Sequence, residues 1–171
     1  SINAALAATN VSPAKASNWS ALAQFYQNIK PLRIAGTDEA IIDAWNKAIA
    51  RDPANPTLLI RLAQAYSDAS EVIEPKGSGP DSDSDGLADS IESQLNSDPE
   101  SSDSNSNGVS DGDEVKAGFN PAGTGRLSAV QLSAFTKIDS AKLAEAQKAL
   151  NRAIELKPDL PDSYIVLARI L

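Results

Sequence analysis

Cysteine and histidine are both absent from the 171 residues. Without cysteine the chain has no disulfide framework, no zinc–thiolate site and no thiol nucleophile. Without histidine it lacks the commonest general base and the imidazole metal ligands, so enzymatic chemistry would fall to carboxylate, lysine or tyrosine. Aromatic residues are scarce, at 5%, and no basic patch interleaved with aromatics suggests a nucleic-acid partner. No apolar run approaches the roughly 18 residues of a membrane span. No signal peptide is evident, and a start at Ser1 without Met suggests a processed form.

The charge is unevenly placed. The formal net charge is -8, yet residues 81–114 hold eleven Asp and Glu and no Lys or Arg, leaving 12 acids against 15 bases elsewhere. The acidity is therefore local and reports a cation site, not a uniformly anionic surface. With 42% hydrophobic residues, the remainder has enough apolar surface for one core and an accessory unit.

Within the acidic stretch one spacing occurs twice, 22 residues apart. Asp81, Asp83, Asp85, Gly86 and Glu92 form the first copy, and Asp103, Asn105, Asn107, Gly108 and Glu114 the second. Both satisfy the calcium-loop pattern D-x-[DN]-x-[DN]-G-x5-E. Calcium takes six to eight oxygens, and a twelve-residue loop supplies them by alternating oxygen-bearing side chains along a tight turn. The glycines sit at the turn, Leu87 and Val109 would offer backbone carbonyls, and Asp89 and Asp111 occupy the next ligand position. Glu92 and Glu114 would close the two cages bidentately, so two calcium ions are expected. A solvated acidic linker is the plain alternative, but a linker has no reason to repeat five specified positions in register.

The segments DSDSDGLADSIE and DSNSNGVSDGDE, with the intervening LNSDP and trailing AGFNP, resemble a thrombospondin type 3 repeat pair more than a helix-flanked EF-hand. The resemblance covers about 45 residues. It implies a chain wrapped around calcium with little secondary structure, and an added ligand from the Asp before the intervening proline, here Asp98. The chain departs from that pattern at Asn96, where the family has Gly, and at Asn105 and Asn107, which leave the second loop with less charge.

A second repeat surrounds Pro13, Pro53 and Pro158. Five residues before each lies Ala8, Ala48 or Ala153, and six after lies Trp19, Leu59 or Tyr164. Leu22-Ala23, Leu62-Ala63 and Leu167-Ala168 follow, and then Tyr26, Tyr66 and Leu171. Small residues let antiparallel helices approach closely, while large ones at three- and four-residue spacing fill the groove between them. The pattern resembles the tetratricopeptide repeat, with Trp19, Leu22, Ala23 and Tyr26 matching best. Ala replaces the family's Gly, and Ile41 stands where its second helix has Ala. A generic helical hairpin protein would not agree at so many offsets.

The expected fold is therefore all-α: tetratricopeptide-like helical hairpins forming a solenoid, with an irregular calcium-binding loop insertion. Residues 1–70 and 126–171 are assigned to the helical repeats and 71–125 to the insertion. In chain order the pattern predicts a helix over Ile2 to Val11, one over Ser17 to Asn28 capped by Ser17, and one capped by Thr37 and running to about Arg51. It continues with Pro56 to Ser70, a hinge at Gly123 to Gly125, an amphipathic helix over Leu127 to Ile138, one from Asp139 or Ser140 to Lys157, and one over Asp162 to Leu171. Trp45 reads as core.

These features suggest a non-enzymatic, calcium-stabilised extracellular structural protein. Asn10-Val11-Ser12 and Asn18-Trp19-Ser20 fit the glycosylation acceptor pattern and weakly suggest secretion. The segment after Pro158 is a first-type helix and the segment before Pro13 a second-type helix, so Tyr164, Leu167 and Leu171, and Ile2, Ala5 and Leu6, are expected to be exposed. Head-to-tail self-association through residues 1–13 and 159–171 would complete a split repeat and permit a filament. A fragment of a longer secreted repeat protein would show the same pattern. A peptide-binding repeat scaffold is the other class considered. A carboxylate-pair hydrolase is disfavoured because calcium spacing, caps and exposed faces account for the acids.

Overall fold

The computed structural model describes every residue except Ser1, Arg33, Ala35 and 75–78; at Ile2 it describes the backbone alone. The chain is mostly helical and divides into two compact units, one from Ser1–Ser70 with Asp139–Leu171 and the other from Glu71–Ile138.

The first unit contains α1 (Ile2–Val11), α2 (Ala16–Ile29), α3 (Thr37–Ile49), α4 (Pro56–Asp68), α8 (Ser140–Leu156) and α9 (Pro161–Ile170). Helix α2 packs on α3 and α4 on α8, and α1 and α9 extend the series by lying on α2 and α8. The interruption between α4 and α8 is closed by the N–H of Asp139 donating to the carbonyl of Ser70 at 2.8 Å. Asp139 also caps α8, accepting from the N–H groups of Ala141 and Lys142.

Ala23, Ala48, Ala63 and Ala153, all members of the proline-centred pattern, have no exposed surface. They let the helices approach closely enough for Leu22, Leu59, Leu62, Trp45 and Leu150 to fill the core between them. The proline offsets also have local meaning. Trp19 Nε1 donates to the carbonyl of Pro13, and Tyr164 Oη donates to that of Pro158, each six residues back. Trp19 lies beneath Lys47 and Arg51, whose cationic groups are 4.9 and 5.0 Å from its ring centre.

Several local expectations differ. Ser17 does not cap α2: the helix begins at Ala16, with Lys15 at the cap and no side-chain bond. Thr37 lies inside α3, its hydroxyl donating to Ile34, while Gly36 takes the left-handed cap conformation at φ 78°. Helix α4 starts at Pro56 as expected, with Asn55 at its N-cap accepting from the Thr57 N–H, but it ends at Asp68 and not at Ser70. Leu167 is half-buried against the helical core, whereas Tyr164 and Leu171 are exposed as expected. At the other end Leu6 is exposed and Ala5 half-buried; the side chain of Ile2 lies outside the described residues.

The second unit begins and ends in a strand pair, β1 (Glu71–Ile73) with β2 (Thr136–Ile138), antiparallel in the register Glu71 to Ile138 and Ile73 to Thr136. Between them lie the short helices α5 (Asp89–Leu95), α6 (Asp111–Lys116) and α7 (Ala129–Phe135). The unit thus runs past residue 125 to Ile138. The helix expected over Leu127 to Ile138 gives way to β2 after Phe135, because Glu71, Val72 and Ile73 supply a strand partner that periodicity could not reveal. Its own core joins Leu87, Leu95, Val115, Leu127 and Phe135. Gly123 to Gly125 is a closed turn and not a hinge, since the N–H of Asn120 donates to Gly125 O at 3.0 Å.

Candidate metal centre

Both acidic loops adopt the same backbone course. Ser84 and Ser106 have φ of 63° and 57°, and Gly86 and Gly108 have φ of 92° and 89°. The left-handed conformation explains the glycine two residues after each serine. Four side-chain bonds recur at matching positions. The first carboxylate accepts from the glycine N–H, Asp81 from Gly86 at 3.1 Å and Asp103 from Gly108 at 2.8 Å. Asp83 Oδ1 and Asn105 Oδ1 accept from the N–H two residues on, both at 3.1 Å. Asp85 Oδ1 and Asn107 Oδ1 do likewise toward Leu87 and Val109, both at 2.8 Å.

The fourth recurring bond involves a residue that the ligand pattern does not specify. Asp89 accepts from both the N–H and the hydroxyl of Ser82, each at 2.8 Å. Asp111 accepts from Ser104 in the same way, at 2.9 and 2.5 Å. Asp89 and Asp111, read in the sequence as ligand positions, thus brace the start of each loop. The signal was present as a serine following the first Asp in both copies.

After each loop the chain turns through a left-handed residue, Asn96 at φ 61° and Gly118 at φ 78°. Asparagine tolerates this conformation, so its replacement of Gly at Asn96 leaves the turn intact. Asp98, the further candidate ligand, is exposed, and its Oδ1 accepts from the N–H of Glu100. Its own N–H donates to the Ser104 hydroxyl at 2.7 Å, which links the turn to the second loop.

The carboxylate oxygens of Asp81, Asp83 and Asp85 lie within 4.8 Å of one another. Glu92 has 0% exposure, and neither of its oxygens has a hydrogen-bond partner among the described residues; the same holds for Asp83 Oδ2. Burial, reinforced by the charges of Asp83, Asp85, Asp111 and Asp89, pushes the Glu92 carboxyl up to about 7. Burial also raises Asp83, with Asp85, Asp81 and Asp111 acting in the same direction. Both effects follow from crowding anions where water cannot reach them.

The second loop resolves the same crowding differently. Asn105 Nδ2 donates to Glu114 Oε2 at 2.9 Å, and Asn107 Nδ2 donates to Glu114 Oε1 at 2.7 Å. Glu114 is buried with both oxygens satisfied. Val109 is 46% exposed, while the matching Leu87 is an anchor of the second core.

The donor set of the first loop suits a hard divalent cation: several carboxylates, no sulfur or imidazole, and an unpartnered buried glutamate. Among the described residues no helix is long and apolar enough to cross a membrane. No family model, curated protein or solved structure matches this chain.

Proposed function

We propose that the protein is a non-enzymatic, calcium-binding structural protein of the extracellular surface, with tetratricopeptide-like hairpins in its helical unit and two thrombospondin type 3-like calcium loops in its inserted unit. Glu92 carries this reading. A buried carboxylate without a partner is costly, and a calcium ion shared with Asp81, Asp83 and Asp85 would satisfy it. Extracellular modules bind calcium at roughly 10⁻⁴ to 10⁻³ M, in keeping with a setting where the ion is abundant. The order in which α2, α3, α4 and α8 pack supports the repeat reading. Isothermal titration is expected to show calcium uptake by the full chain; no uptake at about millimolar calcium overturns the assignment.

A second copy of the chain is the proposed partner of the helical unit. Tyr164, Ile165 and Leu171 are exposed on or beside α9, and Leu6 and Val11 are exposed on α1. In the repeat pattern α9 is a first-type helix and α1 a second-type helix, so α1 of one copy lying on α9 of another would cover both apolar sets. Such a heterologous contact need not close and would build a filament. Sedimentation with calcium is expected to show concentration-dependent assembly that Ile165→Asp abolishes. A monomer at high concentration, or an unaffected variant, excludes this contact.

A further inference from the structure

The two loops share a backbone but differ in what faces the closing glutamate. In each, the oxygen of the third- and fifth-position side chains is occupied by a backbone N–H: Asp83 and Asp85 in the first loop, Asn105 and Asn107 in the second. The other terminal atom is therefore fixed by residue type. In the first loop it is an oxygen. Asp83 Oδ2 is buried with no partner among the described residues, and Asp85 Oδ2 accepts from the Gly112 N–H at 2.6 Å. In the second loop it is an N–H₂ group, and both groups donate to Glu114.

We infer that the loops load in order: the first takes a calcium ion readily, whereas the second is held closed by its own amides and takes one only at much higher concentration. This rests on the calcium-binding function proposed above. The amides of Asn105 and Asn107 do for Glu114 what a cation would do for Glu92. They place positive hydrogen-bond density against the carboxylate, without a net charge. For calcium to reach Glu114, both amide bonds must be surrendered. Turning either amide over would aim its N–H₂ at the backbone N–H of Asn107 or Val109, setting donor against donor and breaking the turn. No such cost attends Glu92 in the first loop, where both its oxygens and Asp83 Oδ2 are buried without a hydrogen-bond partner among the described residues. The loss of two hydrogen bonds to a carboxylate is expected to weaken the second site by about a hundredfold.

The amide signals of Gly86 and Gly108 report on the two loops separately, since each N–H donates to the first carboxylate of its own loop. Nuclear magnetic resonance of the full chain titrated with calcium is expected to move Gly86 first and Gly108 at about a hundredfold higher concentration. In calorimetry, Asn105→Asp combined with Asn107→Asp is expected to convert the weak second step into one comparable with the first. Equal affinities, or Gly108 moving first, overturn the order while leaving the calcium function standing. A second step unchanged by the double substitution also overturns it. Absence of any calcium response in the unmutated chain removes both the order and the function on which it rests.

Discussion

The N–H of Gly112, in the first turn of α6, donates to Asp85 Oδ2 across 2.6 Å and 27 residues of chain. A β-carbon at Gly112 would lie 2.6 Å from the Asp85 backbone carbonyl oxygen, too close for the two loops to keep this approach. Gly112→Ala is therefore expected to separate the loops and weaken calcium binding at the first more than at the second. Calorimetry with the Gly86 and Gly108 amide signals checks this. An alanine variant with unchanged first-site affinity would show that the contact is incidental.

Removing calcium is expected to loosen the inserted unit before the helical one. Eleven acids without a Lys or Arg between them repel one another, and the core of this unit has few large members. The helical unit closes its own gap through Ser70 and Asp139, and the entropy of a longer loop grows by only about 0.6 kcal/mol per doubling. Hydrogen exchange with and without chelator is the measurement. Faster exchange in α4 and α8 than around Leu87 after chelation would contradict it.

The effect of pH has a defined sign. Glu92 lies at about 7 in the folded chain without metal, against 4.5 ordinarily, so the folded form holds this proton more tightly than the unfolded form. Its stabilising contribution is present below about 4.5 and is lost as pH rises through about 7. The chelated inserted unit is therefore expected to be more stable at pH 5 than at pH 8. Calcium must displace the proton, so first-site affinity is expected to rise over the same interval, with proton release seen as a buffer-dependent heat. Glu92→Gln is expected to flatten the pH dependence; an unchanged profile would assign it to another group.

Leu150, in the middle of α8, has no exposed surface and belongs to the helical core. Leu150→Ala is expected to destabilise that unit by about 2–5 kcal/mol, measured by denaturant unfolding followed at Trp45. Calcium uptake by the loops is expected to persist, because their core is a separate set of residues. A loss of uptake in a variant that remains folded would show that the two units depend on each other.

The sequence by itself determined the helices of the first unit and the left-handed glycine of both loops, but not α5 and α6, which begin inside the loops at Asp89 and Asp111 where an irregular course was expected. Alanines recurring around Pro13, Pro53 and Pro158 mark close helix approaches, because only small side chains permit them. Glycine at a fixed place in an Asp/Asn run marks a left-handed turn, because a β-carbon disfavours it. The spacing also picked out Asp81, Asp83, Asp85 and Glu92. What periodicity could not carry was pairing between residues far apart in the chain. Strand β2 exists because Glu71–Ile73 lies beside it, and the Gly112 N–H meets Asp85 across 27 residues. The Asn-for-Asp difference between the loops stands in the sequence, but only the tertiary structure brought it to bear on the glutamates. Glu92 and Glu114 occupy the same place in the pattern, but two amides satisfy one while burial and four carboxylates act on the other, and those contacts arise only when the loop has folded around them.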